Sequence, residues 1–211
     1  MNSVSAIRVT GRPEGKDQIR APWGYGDNFN LTLLKSSAPS LFELASRLCS
    51  LSNEYPMKIS NLRDITINYR FNGMFKLDPH IDPLMDGENV FILGLKSDTV
   101  LTLTPDLSQA ASIFSGRKTR TTPLKIRTTE EAISTYSWTD ADIDILMRKG
   151  SLLHLWGDAR FMWKHAIRTG VVARVEQEGV RPKDEICDWF GDFNTLVPRE
   201  KERISVILAF K

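Results

Sequence analysis

Short runs of β-branched and other apolar residues, each cut off by a turn, recur along this chain and favour a layered β structure over other folds. Residues 65–69, 90–95, 99–103, 124–128, 143–147, 151–156 and 204–210 have the length and composition of strands. Lys96-Ser97-Asp98, between the second and third runs, predicts a hairpin, and Arg148-Lys149-Gly150 predicts another turn. The last run, from Ile204 to Phe210, carries no charge and is expected to enter the core. Many short strands with tight turns predict a mainly β sandwich or barrel with flanking helices, not a parallel α/β sheet.

Two segments depart from this pattern. Leu41, Leu44, Ala45 and Leu48 fall at helical spacing and predict a helix over 41–51, with Ser40 and Glu43 as a capping box. Residues 1–36 are punctuated by Gly11, Pro13, Gly15, Pro22, Gly24 and Gly26. They predict an irregular N-terminal extension, with the main domain over 37–211. Between 164 and 203 lies a polar excursion, including Glu176-Gln177-Glu178-Gly179, which reads as an inserted loop or arm.

A chain of 211 residues can bury one substantial core. Its formal charge of +2, from 28 Lys and Arg against 26 Asp and Glu, neither marks nor excludes a nucleic-acid binder. Cys49 and Cys187 are the only cysteines, too few for a zinc cluster of thiolates, and are expected as free thiols. No apolar run is long enough to span a membrane, and the first residues lack the charged and apolar zones of a secretory signal. An intracellular, reducing compartment, cytoplasm or nucleus, is the expectation.

Of the three histidines, His80 stands two residues before Asp82, and His165 follows far downstream. On a strand, residues two apart share a face, so an imidazole and a carboxylate converge there. A histidine from a neighbouring strand then completes the smallest set that holds a ferrous ion on one side, with positions left open opposite. Alone, the His80-Ile81-Asp82 tripeptide reads equally as a surface turn or a hydrogen-bonded core pair. Arg203, at the head of the last apolar run, is suited to the far carboxylate of a dicarboxylic acid.

Several stretches resemble the AlkB-like branch of the iron(II)- and 2-oxoglutarate-dependent dioxygenases. Residues 65–73 leading to His80-Ile81-Asp82 look like that family's approach to its HxD motif. Residues 150–160 and His165 look like its distal-histidine segment, and Arg203-Ile204-Ser205-Val206 looks like the start of its terminal arginine motif. Residues 20–27 are similar to an N-terminal Tyr-Gly element of nucleobase-acting members. The resemblance spans roughly residues 20–211 and implies a double-stranded β-helix (jelly-roll) core. It implies Fe(II) on His80, Asp82 and His165, and 2-oxoglutarate on Arg203 with help from Asn68 or Tyr69. Molecular oxygen is the second cosubstrate, and the implied reaction is oxidative demethylation of an N-methylated nucleobase in DNA or RNA. The chain departs from the family where a second arginine is usual six residues after the first: here that position is Ala209, with Lys211 two residues beyond as a possible substitute.

Other readings stay open. A protein side chain or a small molecule is the alternative substrate, and a catalytically silent binding protein on the same scaffold is a third reading. The oligomeric state is open. Trp23, Tyr25 and Phe29 lie among Gly and Pro and suit either a substrate lid or packing. Arg160, Lys164 and Arg168 near His165, and Arg117, Lys118, Arg120, Lys125 and Arg127, are either solvated residues or phosphate contacts. Trp156, Phe161 and Trp163 are expected in the core, as is His154. Ser151, His154 and Asp158 lack the nucleophile elbow of a hydrolase.

Overall fold

The computed structural model describes residues 6–13, 17–51, 59–71, 73, 75–106, 141–168, 170–177, 180–190 and 195–211. Within them the chain is mostly β. It runs through β1 (Ala6–Thr10), β2 (Gln18–Arg20), helices α1 (Leu31–Ser37) and α2 (Pro39–Leu51), β3 (Leu62–Phe71) and β4 (Leu77–His80). Next come β5 (Asn89–Lys96), β6 (Thr99–Pro105), β7 (Ile143–Met147), β8 (Leu152–Leu155), the single turn α3 (Asp158–Phe161) and β9 (Trp163–Ile167). The chain finishes through β10 (Val171–Gln177), β11 (Val180–Phe190), β12 (Thr195–Pro198) and β13 (Glu202–Phe210). The strands form a six-stranded sheet ordered β2-β1-β3-β13-β5-β8, a four-stranded sheet ordered β4-β9-β6-β7 and a three-stranded sheet ordered β10-β11-β12. The parallel β1–β2 pair makes the largest sheet mixed.

Alternation along the central strands divides the largest sheet into two faces. Ile65, Val206, Leu208 and Phe91 turn toward the helices and pack with Leu34, Ala45 and Leu48. On the opposite side Val90, Ile92 and Ala209 share a second core with Leu101 and Leu103 of β6 and Ile167 of β9. The uncharged run 204–210 therefore does enter the core, at the centre of the sheet between β3 and β5.

Several local expectations are corrected. Residues 96–98 do not close a hairpin: β5 pairs with β13 and β8, whereas β6 pairs with β7 and β9. The turn carries the chain from one sheet to the other, with Ser97 at φ 68°. The turn at 148–150 likewise joins strands of different sheets, and the two crossings are tied by Gly150 N–H to Gly94 O at 2.7 Å and Lys149 N–H to Asp98 Oδ1 at 2.8 Å. Helix α2 starts at Pro39, whose missing N–H costs nothing in the first turn. Ser40 then lies within the helix and forms no capping box.

The N-terminal extension is not irregular where it is described. Strand β1 pairs antiparallel with β3 along its whole length, and α1 runs across the expected boundary at residue 36. The glycines have a local role. A Cβ on Gly11 would sit 1.8 Å from Gly24 O, so only glycine lets the two segments cross. Where it is described, the polar excursion too is regular, as the antiparallel β10-β11-β12 sheet. The expected strand over 124–128 and the basic residues 117–127 lie outside the described residues.

One buried ion pair fastens the excursion to the core. Arg199 Nε donates to Asp188 Oδ1 at 3.0 Å, and its Nη1 donates to the carbonyls of Gly73 and Phe75 at 2.8 and 2.7 Å. A second nitrogen, Nη2, reaches Arg168 O. The other oxygen of Asp188 accepts from Val100 N at 3.1 Å. Removing one member leaves a charge stranded away from water, so Asp188→Ala is expected to cost about 3–5 kcal/mol of stability, measured by urea denaturation.

Candidate metal centre and the cavity behind it

Strand β4 is an edge strand, and it carries a register irregularity between Leu77 and His80 opposite β9. Leu77 pairs with Ile167 and His80 with His165, so three residues of β4 span what two residues of β9 span. Without that extra residue, strict alternation would turn His80 away from the face that holds Leu77. With it, Leu77, His80, His165 and Ile167 all line one cavity. Pro79 sits in the irregular stretch, where a residue without an N–H is tolerated.

His80, Asp82 and His165 come together with one candidate ligand atom from each, all within 4.8 Å of one another. His80 Nε2 lies 3.6 Å from Asp82 Oδ1, and His165 Nε2 lies 3.7 Å from Asp82 Oδ2. The two rings are 4.3 Å apart between centroids. His80 Nδ1 is 2.9 Å from Asp78 O; a carbonyl only accepts, so the proton is assigned to Nδ1 and the Nε2 lone pair turns inward.

The charges favour the ligating forms of His165 and Asp82, whereas His80 must give up a proton to bind a metal. Burial, against the pull of Asp82, brings the His165 imidazole down to about 4, so it is neutral at neutral pH. Burial pushes the Asp82 carboxyl up, but the facing histidines and Arg160 outweigh it and hold it at about 2. For His80, burial is outweighed by Asp82 and by Asp78 O, and its proton affinity rises. Two imidazole nitrogens and one carboxylate on one side fit a divalent transition ion such as Fe(II), with positions left for other ligands.

Arg160 supports this set from behind. It is 2% exposed, and its guanidinium donates to the carbonyls of Asp82, Pro83 and Gly87 at 2.9, 2.7 and 3.1 Å. It is therefore not a substrate phosphate contact: α3 aims it inward to hold the segment that carries Asp82. Lys164, also expected at the substrate, is paired with Asp106 at 3.2 Å and does not line the cavity. Arg168 is buried and paired with Asp144 at 2.8 Å.

Behind the ligands lies a cavity of about 550 Å³. Its far wall is the inner face of the largest sheet, including Thr66 and Asn68 of β3 and Arg203, Ser205 and Ile207 of β13. Arg203 is 6% exposed, lies over the Phe75 ring at 5.8 Å, and donates from Nη1 to Ser205 Oγ at 3.2 Å. Burial lowers it to about 10, which leaves it protonated at neutral pH.

The structure separates Asn68 from Tyr69. Asn68 lines the cavity and accepts from Arg8 Nε at 3.2 Å. Tyr69, one residue on, points to the opposite face, where its ring lies 4.2 Å from Phe71.

The aromatic lid is corrected too. Trp23 is 5% exposed and packs in the helix-side core. The Tyr25 hydroxyl donates to Asp86 Oδ1 at 2.7 Å, and neither residue lines the cavity. Trp156, expected in the core, is 51% exposed. His154 stacks on Phe91 at 4.1 Å and its Nε2 meets Asn89 Oδ1 at 3.1 Å, a structural role.

Ala209 is fully buried opposite Asp64, and Lys211 is exposed with its backbone bonded to Asn61 and Ser60, so Lys211 is no substitute for a second arginine. Two arginines that sequence reasoning missed line the cavity instead. Arg8 comes from β1, and Arg12 donates to Asp64 at 3.0 Å and to Asp86 at 2.6 Å. The alternation of Ile7, Arg8, Val9 and Thr10 was the available signal for this strand.

No protein-family model matches the chain, and no curated protein matches it. Among solved structures, it is similar to the structure of OsALKBH1 at 11% sequence identity and a TM-score of 0.37. That likeness covers 85% of this chain and 62% of the other, so the chain spans less than two thirds of its length. At this distance it assigns neither an activity nor site residues.

Outer groups that hold a ligand segment typically contribute 10–100-fold to metal affinity. Arg160→Met is accordingly expected to weaken Mn(II) binding about 10–100-fold, measured by anaerobic titration of protein whose circular dichroism is unchanged.

Proposed function

We propose that this protein is an iron(II)- and 2-oxoglutarate-dependent oxygenase with a double-stranded β-helix core. The observation that carries the proposal is the pairing of His80, Asp82 and His165 at one wall of a cavity with the buried Arg203 at another. Among the described residues Arg203 has no carboxylate in ion-pair contact. A buried guanidinium with only a hydroxyl partner calls for an anion, and a dicarboxylic acid that also reaches the metal supplies one.

In this reading each residue has a limited task. His80 and His165 each offer a ring nitrogen, that of His165 already neutral, and Asp82 supplies the negative charge that a ferrous ion needs. Arg203, steadied by Ser205, pairs with the distal carboxylate of 2-oxoglutarate, and Asn68 lies on the same wall. Ile92, Leu101, Ile167 and Ile207 line the same cavity and supply its apolar surface. Bound Fe(II) with 2-oxoglutarate and molecular oxygen supplies oxidative decarboxylation to succinate and carbon dioxide, coupled to hydroxylation of a substrate C–H bond.

The substrate proposed from the sequence is an N-methylated nucleobase in DNA or RNA, from which hydroxylation would release formaldehyde. Arg160, Arg168 and Trp23, read from the sequence as candidates for contact with such a substrate, are buried in other contacts. The cavity wall favours the second reading, a small-molecule substrate, because further arginines stand there beside Arg203.

Anaerobic addition of Fe(II) and 2-oxoglutarate is expected to give a visible charge-transfer band, lost in His80→Ala and Asp82→Ala. A folded, reduced protein without the band would sink the oxygenase proposal. Removing a charge-assisted hydrogen bond costs about 1.5–3 kcal/mol. Arg203→Ala is therefore expected to raise the dissociation constant for 2-oxoglutarate about 10–100-fold while leaving Mn(II) binding intact. Mass-resolved turnover of methylated DNA, RNA, peptide and small-acid pools then separates the substrate classes.

A further inference from the structure

We propose that Arg8 and Arg70 form a second oxyanion subsite beside Arg203, which takes a carboxylate or phosphate carried by a small-molecule substrate. The proposal rests on the reading of Arg203 as the cosubstrate anchor and adds the chemical class of the other substrate.

The placement follows from strand register. Arg70 of β3 stands directly opposite Arg203 of β13, and Arg8 of β1 stands opposite Asn68, two residues from Arg70 on the same strand. Residues opposite one another or two apart share a face of the sheet, and this face is the cavity wall on which Arg8, Asn68 and Arg203 already lie. Three arginines on three adjacent strands thus share this face: Arg8 and Arg203 line the cavity, and Arg70 stands on the strand between theirs, with Arg8 and Arg70 half-buried and Arg203 buried.

The protein supplies no matching negative charge in contact with them. Arg8 and Arg203 donate to the neutral oxygens of Asn68 and Ser205, and among the described residues none of the three forms an ion pair with a carboxylate. Nearby carboxylates are committed elsewhere: Asp64 and Asp86 to Arg12, Asp188 to Arg199, and Asp78 to Lys76. Asp64, Asp82 and Asp188 act on the group only at longer range.

Like charges facing each other across a ladder repel. Burial, and then Arg8, lowers the proton affinity of Arg70; burial lowers that of Arg203, against the pull of Asp188 and helped by Arg70 and Arg199. The distal carboxylate of one 2-oxoglutarate balances one of these charges, and its other carboxylate is directed to the metal. The remaining two guanidinium groups fit a second oxyanion, for which the planar fork is the best side-chain partner. A cavity of about 550 Å³ falls inside the range of roughly 300–1,000 Å³ usual for small-molecule sites. The subsite borders Arg203, only 6% exposed, a depth that a free small acid or phosphate ester reaches more readily than the backbone of a polymer.

The test uses the full chain loaded with Mn(II) and saturating 2-oxoglutarate. Inorganic phosphate and acetate are titrated separately at constant ionic strength, with chloride as the control, and the thermal midpoint is recorded. Wild type is expected to show a saturable rise with at least one of the two anions. A rise with phosphate alone assigns a phosphate ester, and a rise with acetate alone assigns a carboxylate. The Arg8→Gln/Arg70→Gln variant is expected to lose the rise while its 2-oxoglutarate affinity changes less than about 3-fold, well under the loss expected from removing a charged anchor.

A wild type that responds no more than to chloride overturns the proposal. So does a folded double variant that keeps the response, or one that loses 2-oxoglutarate affinity about 10-fold or more, which would assign these arginines to the cosubstrate. If the double variant does not fold, Arg8→Gln alone, with Arg8→Lys as the conservative rescue, makes the same comparison. If wild type gives no band with Fe(II) and 2-oxoglutarate, the oxygenase reading fails by itself. The phosphate and acetate titrations on metal-free protein, compared with Arg203→Ala, then still decide the subsite.

Discussion

The site depends on one buried guanidinium. Arg199 has no exposed side-chain surface, and it joins Asp188 of β11 to the carbonyls of residues 73 and 75, just before β4, and to residue 168, just after β9. Those are the two strands that carry His80 and His165. Asp188 in turn accepts from Val100 of β6, the other neighbour of β9. A buried pair of this kind contributes little net stability, because desolvation offsets most of the attraction. Its value is specificity: a shift of β4 against β9 would leave carbonyls and a charge without partners. The polar excursion that precedes β13 is therefore a brace for the strand pair at the site.

The same division of labour separates the two core clusters. The helix-side core takes the apolar residues of β3 and β13, which frees the intervening positions on the other face for Thr66, Asn68, Arg203 and Ser205. Polar wall and apolar support are alternate residues of the same strands. A substitution on either face thus acts through a backbone that both share.

Much of the candidate site was legible because it follows from residue type and spacing. Two histidines and an aspartate among β-forming runs, with an arginine leading the last run, were recognisable as residue types, but the strand period alone does not place them: Asp82 lies past the end of β4, and His80 reaches the cavity only through the register irregularity. The mostly β character was legible for the same reason. What escaped was long-range pairing. Nothing local in Lys96-Ser97-Asp98 tells a hairpin from a crossing between sheets. Nor does an irregular-looking start announce that β1 adds a row to the main sheet, which is why Arg8 was missed. Arg160 was read as a surface residue and Trp23 as either lid or packing because side-chain chemistry suits both burial and exposure; only three carbonyls converging on one guanidinium, or a packed indole, decides between them. Asn68 and Tyr69 could have been separated beforehand, since neighbours on a strand face opposite ways.

The three hydrogen bonds from Arg160 also bear on ion selectivity. They tie the backbone at Asp82, Pro83 and Gly87 to the residue that leads into β9, so the spacing between the carboxylate and the far imidazole is set by one rigid planar group. A flexible loop can widen around a large cation and recruit more oxygens, whereas this one cannot widen without breaking bonds to a buried charge. A metal held by a site braced in this way would be discriminated by radius as well as by ligand type, with a compact ion that accepts nitrogen favoured over calcium.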